Sequence, residues 1–419
     1  MVRVALVDPL AVIDGRKVLF LRDNFGGEVP LSCPYPPLEL AFSAALLREN
    51  GIGVSIIAAN VLGIHHEQLA QMLSLEPPDF VLIPSAWGSL LDDFRLIKIL
   101  KEALPNTQVL LSGPNVTADP EKAVTESLVD AVILGELEES ILRLSQGEDR
   151  HKVPNLAFMD NGVVHTTERR LPPGFENYPI PARDLLDLSL YTIPFSRRLP
   201  STTIATTRGC GHTCTFCPTQ IWHQRKVRER AIPLVMEEID ELVLKYGIRE
   251  LNVRDDTFTW NEERVFEICE QLLRRGHDLT WRCFATVSTV SEDLLSIMSA
   301  AGCTQVCYGF ESGDENILRK TGKGTTVEQG RQAIKWTRDA GMEISGTFLV
   351  GLEGDTEETI GRSIDFAKDN DLDYIQVNVA VPMPATGFGK RRKRQGMKSK
   401  PEEFRWYGTQ TSETNTLSS

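Results

Sequence analysis

Long apolar runs are absent from the sequence. No stretch of eighteen residues is both apolar and free of charge, so no transmembrane helix is predicted. The chain begins with a strand-like run, residues 2–7, and lacks the charged-then-apolar pattern of a signal peptide. We therefore expect a cytoplasmic protein.

Positive charge is also in short supply. The chain has 45 Lys and Arg residues against 58 Asp and Glu residues, which gives a net charge of −13. This balance argues against nonspecific binding to nucleic acid. One basic run, residues 390–394, departs from it. We interpret the run as a solvated helix face, with contact to phosphate or to a membrane surface as the alternative.

Cysteine is too scarce for a disulfide framework, with eight residues in a chain of 419. Five of the eight are scattered among apolar residues, and unpaired cysteine commonly behaves as a small buried hydrophobe. We predict this state for Cys33, Cys269, Cys283, Cys303 and Cys307.

The other three cysteines form one short motif. Cys210, Cys214 and Cys217 follow a strand-like segment, residues 202–207, in a loop that contains glycine. Three thiolates suit three irons of a [4Fe-4S] cube and leave the fourth iron open to a ligand. Structural zinc is the alternative. Zinc usually takes four ligands from two Cys or Cys/His pairs, and no second pair follows at such a distance.

This motif, with Phe216 before its last cysteine, resembles the radical S-adenosylmethionine (SAM) superfamily over residues 200–385. The resemblance implies that the open iron binds the amino and carboxylate groups of SAM. It also implies SAM contacts at Phe216, Asp255, Asp256, Glu311, Ser312, Gly346 and Gly351. The two aspartates are equally typical of a helix cap. Arg208 and Arg225 or Lys226 are candidates for the SAM carboxylate, with surface charges as the alternative.

Strand and helix signals alternate six times from residue 200 onwards. Six such units fit a partial TIM-like barrel, which is also the fold that the resemblance implies. The chemistry of such barrels lies at the carboxyl ends of the strands, and the cysteine motif follows the first of them.

Residues 1–150 alternate in the same way, which predicts a parallel, Rossmann-like sheet with helices on both faces. The small-residue turns after its strands, together with the domain order, resemble the cobalamin-binding domain that precedes many radical SAM barrels. The resemblance implies cobalamin contacts at Pro9, Gly63, Ser85, Ala86, Ser112, Gly113, Pro114, Gly135 and Glu136. A Rossmann-like domain with no ligand, or with another ligand, is the alternative.

The Asp-x-His-x-x-Gly motif of many cobalamin domains, whose histidine ligates cobalt, is absent. His65 and His66 are candidates for a lower ligand, and a surface pair at a helix start is the alternative. We expect cobalamin to bind without histidine ligation.

The predicted fold class is α/β, with an N-terminal Rossmann-like cobalamin-binding domain followed by a partial (β/α)6 TIM-like radical SAM barrel. Residues 1–150 are expected to form the first domain and residues 200–385 the barrel. Residues 151–199 are predicted to be a connector with one hairpin and a proline-rich extended passage. Residues 386–419 are predicted to form a short helix, reaching about residue 407, and a disordered tail.

The combined resemblance implies an enzyme that uses a [4Fe-4S] cluster, SAM and cobalamin. The implied reaction is methyl transfer to an unactivated carbon, through methylcobalamin and a 5′-deoxyadenosyl radical. A cyclase or oxidative enzyme with the same cofactors is the alternative, and a non-catalytic cobalamin or metal sensor is a third possibility. No side chain is assigned as a catalytic acid or base, because a radical step does not require one.

We expect two kinds of partner: a small-molecule or peptide substrate, and an electron donor such as flavodoxin or ferredoxin. No nucleic acid and no membrane-spanning segment are expected.

Overall fold

The computed structural model describes residues 1–13, 15–20, 22, 28–29, 34–193 and 196–396. Cys33 and the predicted C-terminal segment from residue 397 onwards lie outside these residues. None of the helices in the described part of the chain has the length and apolar character needed to cross a bilayer.

The first large sheet has seven strands. Their spatial order is Val163–Thr166, Leu156–Asp160, Ala131–Ile133, Gln108–Ser112, Phe80–Pro84, Arg3–Val7 and Gly53–Ile57. The five parallel strands follow the order 2-1-3-4-5 of a doubly wound sheet. The switch point therefore lies between the strands Arg3–Val7 and Phe80–Pro84, and ligands of such sheets bind at the carboxyl ends of the strands beside it.

Helices cover both faces of this sheet. Leu6 and Leu82 belong to one hydrophobic cluster, whereas Val7 and Val81 belong to another. Alternating side chains are divided in this way when both faces of a parallel sheet are buried. The helices are Leu38–Glu49, Ala59–Leu62, His66–Leu75, Leu90–Ala103, Pro114–Ala118, Pro120–Glu126 and Glu138–Ser145. The predicted Rossmann-like fold is confirmed.

Three short antiparallel strands follow the first strand of this sheet, and the sequence does not predict them. They are Ala11–Ile13, Arg16–Phe20 and Glu28–Val29, with Ala11 opposite Val18. Strands this short contain too few residues for a recognisable alternation of polar and apolar side chains.

The connector is more structured than its composition predicts. Its hairpin, Leu156–Asp160 and Val163–Thr166, extends the first sheet. Three 3₁₀ turns follow, at Phe175–Asn177, Arg183–Leu185 and Leu188–Leu190. Arg183 is buried and donates to Oε1 of Glu238 at 2.6 Å and to the carbonyl of Thr203 at 2.7 Å. This guanidinium binds the predicted extended linker to the second sheet.

The second large sheet has six parallel strands that neighbour one another in chain order. They are Ser201–Ile204, Glu250–Val253, Thr280–Ala285, Cys303–Glu311, Glu343–Val350 and Tyr374–Val379. The associated helices are Thr219–His223, Ile232–Leu244, Glu262–Arg275, Glu292–Ala300, Glu315–Thr321, Val327–Asp339, Glu357–Asp369 and Gly387–Arg394, with a 3₁₀ turn at Phe258–Trp260. No pairing joins the first strand to the last among the described residues, so the predicted partial barrel is confirmed.

Polar caps begin several of the barrel helices. The side chains of Asn261, Ser291 and Thr326 accept hydrogen bonds of 3.1–3.2 Å from backbone N–H groups three residues later. Such caps satisfy N–H groups that have no partner within the helix. Because all six strands are parallel, their carboxyl ends lie on one rim of the barrel.

Candidate active site between the two sheets

The three motif cysteines lie in a loop at the carboxyl end of the first barrel strand. The loop runs from the short strand Thr207–Arg208 to the helix Thr219–His223. The N–H of Thr215 donates to the carbonyl of Thr321 at 2.7 Å, and the carbonyl of Thr215 accepts from the N–H of Phe388 at 2.7 Å. Two distant parts of the chain therefore hold the cysteine loop in place.

Two glycines allow the cysteine loop its close contacts. Gly209 has a φ of +92°, and a Cβ there would lie 2.0 Å from the carbonyl oxygen of Lys226. A Cβ on Gly211 would lie 2.3 Å from the ring of Trp260. A larger residue at either position would therefore force the loop to move.

Burial raises the pKa of all three motif thiols, that of Cys217 to about 12. The thiols also interact electrostatically with one another, and the ammonium of Lys323 opposes the rise for Cys210 and Cys214. The thiolate is the form that binds metal, and metal binding displaces the thiol proton. Three such groups in one loop fit a cofactor that takes three thiolates.

The arrangement does not fit a zinc ion. Among the residues that the structure describes, no three His, Cys, Asp or Glu side chains are grouped closely enough to hold one metal ion. Zinc needs all its ligands within about 2.0–2.3 Å of one centre, whereas a [4Fe-4S] cube places its thiolates on separate irons. The loop imidazole, His212, has Nδ1 3.1 Å from the carbonyl of Lys323, and its buried Nε2 has no hydrogen-bond partner within the described ranges.

The two predicted aspartates have different partners, and neither caps a helix. Asp255 is buried, and its carboxylate accepts from the N–H of Thr206 at 2.6 Å and from its hydroxyl at 2.5 Å. Burial raises the pKa of Asp255. Asp256 accepts from the N–H of Gly209 at 2.9 Å. Asp256 thus positions the cysteine loop, while Asp255 braces the end of the first barrel strand.

Glu311 ends the fourth barrel strand in a left-handed conformation, with a φ of +65°. Such a conformation costs a residue other than glycine about 1–3 kcal/mol and is typical of functional sites. Its Oε1 lies 2.6 Å from Nζ of Lys323, and both side chains are buried. Lys323 also donates to the carbonyl of Gly309. The sequence has no motif for Lys323, because only folding brings it beside the cysteine loop.

Phe216 and Ser312 pack close to these groups. Phe216 belongs to a hydrophobic cluster with Leu349 and Phe388, and two of the motif cysteines border that cluster. The hydroxyl of Ser312 lies 3.3 Å from the hydroxyl of Ser363. Phe216 therefore packs within the cysteine loop, and Ser312 lies directly after the fourth barrel strand.

Gly346 lies in the fifth barrel strand and Gly351 directly follows it. The two glycines have different structural roles. A Cβ on Gly346 would lie 2.7 Å from the side chain of Leu372 and 3.0 Å from that of Phe310. Gly346 therefore lets the strand pack closely on its outer face. Gly351 has a φ of +85° and donates its N–H to Oδ2 of Asp355 at 2.8 Å, which sets the turn after the strand.

Two turns of the first sheet interlock at the carboxyl ends of their strands. Asn115 donates to the hydroxyl of Ser85 at 2.8 Å, and a Cβ on Gly113 would lie 2.1 Å from the carbonyl oxygen of Ser85. The buried hydroxyl of Ser112 has no hydrogen-bond partner within the described ranges. A turn of small residues with such a hydroxyl fits a ligand that has polar groups. These turns contain the predicted cobalamin contacts Ser85, Ala86, Ser112, Gly113 and Pro114.

A buried ion cluster lies at the switch point of the first sheet, beside Pro9. Oδ1 of Asp8 lies 3.7 Å from Nε of Arg22, and Nη1 of Arg22 donates to Asp93 at 2.9 Å. Arg22 also donates to the carbonyl oxygens of Pro84, at 2.5 Å, and Pro9, at 3.4 Å. Burial raises the pKa of Asp8 to about 7, although the charge of Arg22 opposes the rise. Sequence reasoning missed Arg22 because no motif surrounds it.

The two candidate histidines lie in different environments. A short helix ends at Gly63, whose left-handed φ of +67° is usual for a helix end. His65 is exposed and caps the next helix. His66 is buried, with Nε2 3.1 Å from the carbonyl of Leu10 and 3.3 Å from Oδ2 of Asp92. Only His65 therefore occupies the surface position predicted for the pair.

Glu136 is the centre of a buried ion cluster that joins the two sheets. Its Oε2 accepts from Arg208 at 2.8 Å, and its Oε1 lies 2.8 Å from Nδ1 of His223. Arg228 completes the cluster. Burial alone raises the pKa of Glu136, but the neighbouring positive charges outweigh burial and hold the pKa well below its usual range. Gly135, with a φ of +76°, sets the turn before it.

Arg208 is buried, so the alternative of a surface charge is wrong for this residue. It donates to Glu138 at 2.6 Å, and its guanidinium carbon lies 4.8 Å from the ring centroid of Phe175. These contacts engage Arg208 in holding the first sheet to the barrel. Arg225 and Lys226 are both exposed.

The carboxyl ends of both sheets line one cavity. Asp8 and Pro84 line it from the first sheet, and Thr203, Ala205 and Arg254 line it from the barrel. Glu136 and Asp256 line it as well, so the two sheets border the same space at their carboxyl ends.

Family comparisons match both parts of the chain. The radical SAM superfamily matches residues 204–367, and the B12 binding domain matches residues 31–145. The first range contains the cysteine loop and the second contains four of the five turns assigned to cobalamin.

Similar curated proteins include an uncharacterized methyltransferase of Pyrococcus horikoshii. It is 33% identical over 357 residues, which cover 84% of this chain and 77% of the relative. An anaerobic magnesium-protoporphyrin IX monomethyl ester cyclase of Rubrivivax gelatinosus is 27% identical, over 88% of this chain and 68% of the relative.

Two solved structures resemble nearly the whole chain. The cobalamin-dependent SAM radical enzyme OxsB, with aqua-cobalamin bound, matches with a TM-score of 0.75 and 19% identity, over 96% of this chain and 56% of that chain. The radical SAM methyltransferase TsrM from Kitasatospora setae, with cobalamin and a [4Fe-4S] cluster bound, matches with a TM-score of 0.74 and 16% identity, over 96% of this chain and 76% of that chain. At these identities the likeness shows the fold alone.

These matches confirm the family that the motifs indicate, and with it the three cofactors: a [4Fe-4S] cluster, SAM and cobalamin. They favour an enzyme over a non-catalytic sensor. The chain belongs to the radical SAM superfamily and carries a B12-binding domain before its barrel.

Proposed function

We propose that this chain is a cobalamin-dependent radical SAM methyltransferase that acts at an unactivated carbon. The observation that carries the proposal is a cavity lined by residues at the carboxyl ends of both sheets. Methyl transfer to such a carbon needs the hydrogen-abstracting group and the methyl donor to reach the same substrate atom. The methyltransferase of Pyrococcus horikoshii, and a cytidylyl-2-hydroxyethylphosphonate methyltransferase of Streptomyces wedmorensis that is 24% identical, support it.

The cysteine loop and its neighbours would bind and orient the cluster and SAM. When bound, the cluster with SAM supplies a carbon radical that removes a hydrogen atom, and cobalamin supplies the methyl group. The three motif cysteines would hold the cluster, and Asp256 keeps their loop in place through Gly209. In this proposal Lys323 would neutralise the SAM carboxylate and Glu311 would accept from ribose hydroxyls; the two side chains lie 2.6 Å apart.

The first sheet would hold cobalamin at the interlocked turns around Ser85 and Ser112. The ion cluster of Glu136 and Arg208 fixes this sheet against the barrel. A fixed separation places the substrate between the two reactive groups without further movement, which is how positioning contributes to rate.

A cyclase or oxidative enzyme is the second candidate function. The observation that favours it is the similarity to the magnesium-protoporphyrin cyclase of Rubrivivax gelatinosus, which covers 88% of this chain. Such an enzyme would use the same cavity and cofactors without transferring the methyl group.

Isotope labelling separates the two functions. The protein is reconstituted anaerobically with iron, sulfide and hydroxocobalamin, and given a strong reductant and SAM with a trideuterated methyl group. Mass spectrometry then follows the nucleosides and the corrinoid. Methyl transfer predicts labelled methyl on the corrinoid together with S-adenosylhomocysteine. 5′-Deoxyadenosine without either of these would overturn the methyltransferase and support the second candidate.

We also propose a small-molecule or peptide substrate, and a flavodoxin or ferredoxin as the one-electron donor. A cytoplasmic location is supported by the seven described cysteines, all of which are unpaired, because a reducing compartment keeps thiols free. For the domain division we retain 1–150, 151–199, 200–385 and 386–419. Within this division, the pairing of Ala157 with Val132 attaches the hairpin of the connector to the first sheet.

A further inference from the structure

The helix Gly387–Arg394 concentrates positive charge on a chain that is otherwise acidic. It contains five consecutive basic residues and no acidic residue, whereas the whole chain has a net charge of −13. Lys390, Lys393 and Arg394 are exposed. None of these three forms an ion pair with any residue in the described ranges.

The first turn of this helix lies against the cysteine loop. The N–H of Phe388 donates to the carbonyl of Thr215 at 2.7 Å. The buried ring of Phe388 shares a hydrophobic cluster with Phe216, and Cys214 and Cys217 pack at the edge of that cluster. The basic helix is therefore attached directly to the segment that holds the cluster cysteines.

Two of the five basic residues hold the helix in place. Arg391 donates to Glu353 at 2.6 Å, and the guanidinium carbon of Arg392 lies 5.7 Å from the ring centroid of Phe388. The remaining three have no ion pair within residues 1–396 as far as the structure describes them. Because the apolar side of the helix is buried against the barrel, it offers no apolar face for insertion into a membrane surface.

We propose that Lys390, Lys393 and Arg394 form the docking surface for an acidic one-electron carrier of the flavodoxin class. A chain with a net charge of −13 repels such a carrier over most of its surface, so a local basic surface both attracts and orients it. The carrier's flavin hydroquinone gives one electron and becomes the semiquinone, and the cluster on the cysteine loop accepts that electron. This inference rests on the proposed need for a one-electron donor, but it does not depend on methyl transfer.

The test compares two triple variants with the same change of charge. The first reverses the docking surface: Lys390→Glu, Lys393→Glu and Arg394→Glu. The matched control reverses three exposed lysines on other parts of the chain: Lys98→Glu, Lys152→Glu and Lys335→Glu. Cluster reduction is followed by absorbance under anaerobic conditions, first with flavodoxin hydroquinone and then with dithionite. Binding of oxidised flavodoxin is measured separately by calorimetry.

For the docking variant we expect reduction by flavodoxin to slow at least about tenfold at low ionic strength, with weaker calorimetric binding. Reduction by dithionite should stay within about twofold of the wild type, because a small reductant needs no docking surface, and added salt should slow the wild type towards the variant. The control should keep most of both rates.

Four outcomes would overturn the proposal. Equal losses in both variants would show a general effect of net charge. Unchanged flavodoxin rates in the docking variant would show a solvated helix face. Unchanged flavodoxin binding, with lost binding to vesicles of anionic lipid, would show a membrane-surface contact instead. If dithionite also reduced the cluster of the docking variant much more slowly, the cysteine loop would be damaged, and this result would overturn the proposal too.

Discussion

Lys323 and Glu311 form a buried ion pair beside the cysteine loop, with Nζ and Oε1 2.6 Å apart. Burial on its own lowers the pKa of Lys323, but the carboxylate of Glu311 outweighs burial and raises it. The ammonium thus stays charged within the site, where a carboxylate of a bound ligand can meet it.

Replacing Lys323 with Met is expected to destabilise the protein by about 3–5 kcal/mol, because Glu311 is left as a buried charge without its partner. The free energy of unfolding is measured in urea. The double variant with Glu311→Gln removes both charges and should recover most of that loss. If the double variant is as unstable as the single one, the pair is not the source of the effect.

Binding of SAM separates the ligand role of Lys323 from its structural role. We expect the stable double variant to bind SAM at least about tenfold more weakly than Glu311→Gln alone, since the charge-assisted hydrogen bond from Lys323 is missing. Lys320→Met, at an exposed residue of the preceding helix Glu315–Thr321, is the control and should bind normally. Affinity that returns together with stability would contradict a direct contact between Lys323 and SAM.

Cys214→Ala tests whether the two sheets hold their cofactors independently. We expect the variant to lose the cluster and SAM cleavage but to keep cobalamin, because the interlocked turns around Ser85 and Asn115 belong to the first sheet. Iron analysis, nucleoside analysis and the corrinoid absorbance measure the three properties. Cys269→Ala, in a helix away from the loop, is the matched control. Loss of cobalamin as well would show that the loop supports the shared cavity itself.

The fold was predictable wherever burial imposes a periodic pattern. The apolar run Val4–Val7 is buried on both faces, so its strand is visible in the sequence. The cysteine loop was predictable because three thiols within eight positions are typical of a loop that binds a metal cluster and of few other structures. The short strands around Ala11 and Arg16 were not, since partly exposed strands of so few residues need no periodic pattern.

Contacts between the two sheets could not be predicted from local sequence. Glu136 and Arg208 are 72 positions apart, and each lies in a segment that indicates only a turn or a loop. The contacts of Gly346 could not be predicted from local sequence either. A glycine in a strand predicts close approach of some group, but only the structure shows that the groups are the side chain of Leu372 and the ring of Phe310.

Asp8→Asn is expected to change how stability depends on pH. Burial raises the pKa of Asp8 from 3.8 to about 7, so the folded protein favours the protonated carboxyl. The stability that this group contributes is complete below about pH 4 and is lost as the pH rises to 7. The difference corresponds to at most about 4 kcal/mol. The neutral variant should therefore be more stable than the wild type at pH 8 and similar to it near pH 4.

Urea unfolding at about pH 4, 6 and 8 gives the free energy of unfolding of the wild type and of the variant. The difference between the two is compared across pH, so that the titration of other groups cancels. Asp365→Asn, on an exposed helix surface, serves as the control and should show no such trend. A wild type that is at least as stable as the Asp8→Asn variant at pH 8 would contradict the raised pKa.

Gly211→Ala is expected to displace the cysteine loop, because the added Cβ would lie 2.3 Å from the ring of Trp260. The variant should retain less iron after reconstitution than the wild type. Trp260→Leu removes the ring, so the double variant should regain iron towards the level of Trp260→Leu alone. Gly361→Ala adds the same methyl group in a helix where no atom lies within 4 Å, and it should keep its iron. A double variant that stays as poor in iron as Gly211→Ala would place the constraint in the backbone of the loop, since the clash with Trp260 would then be absent.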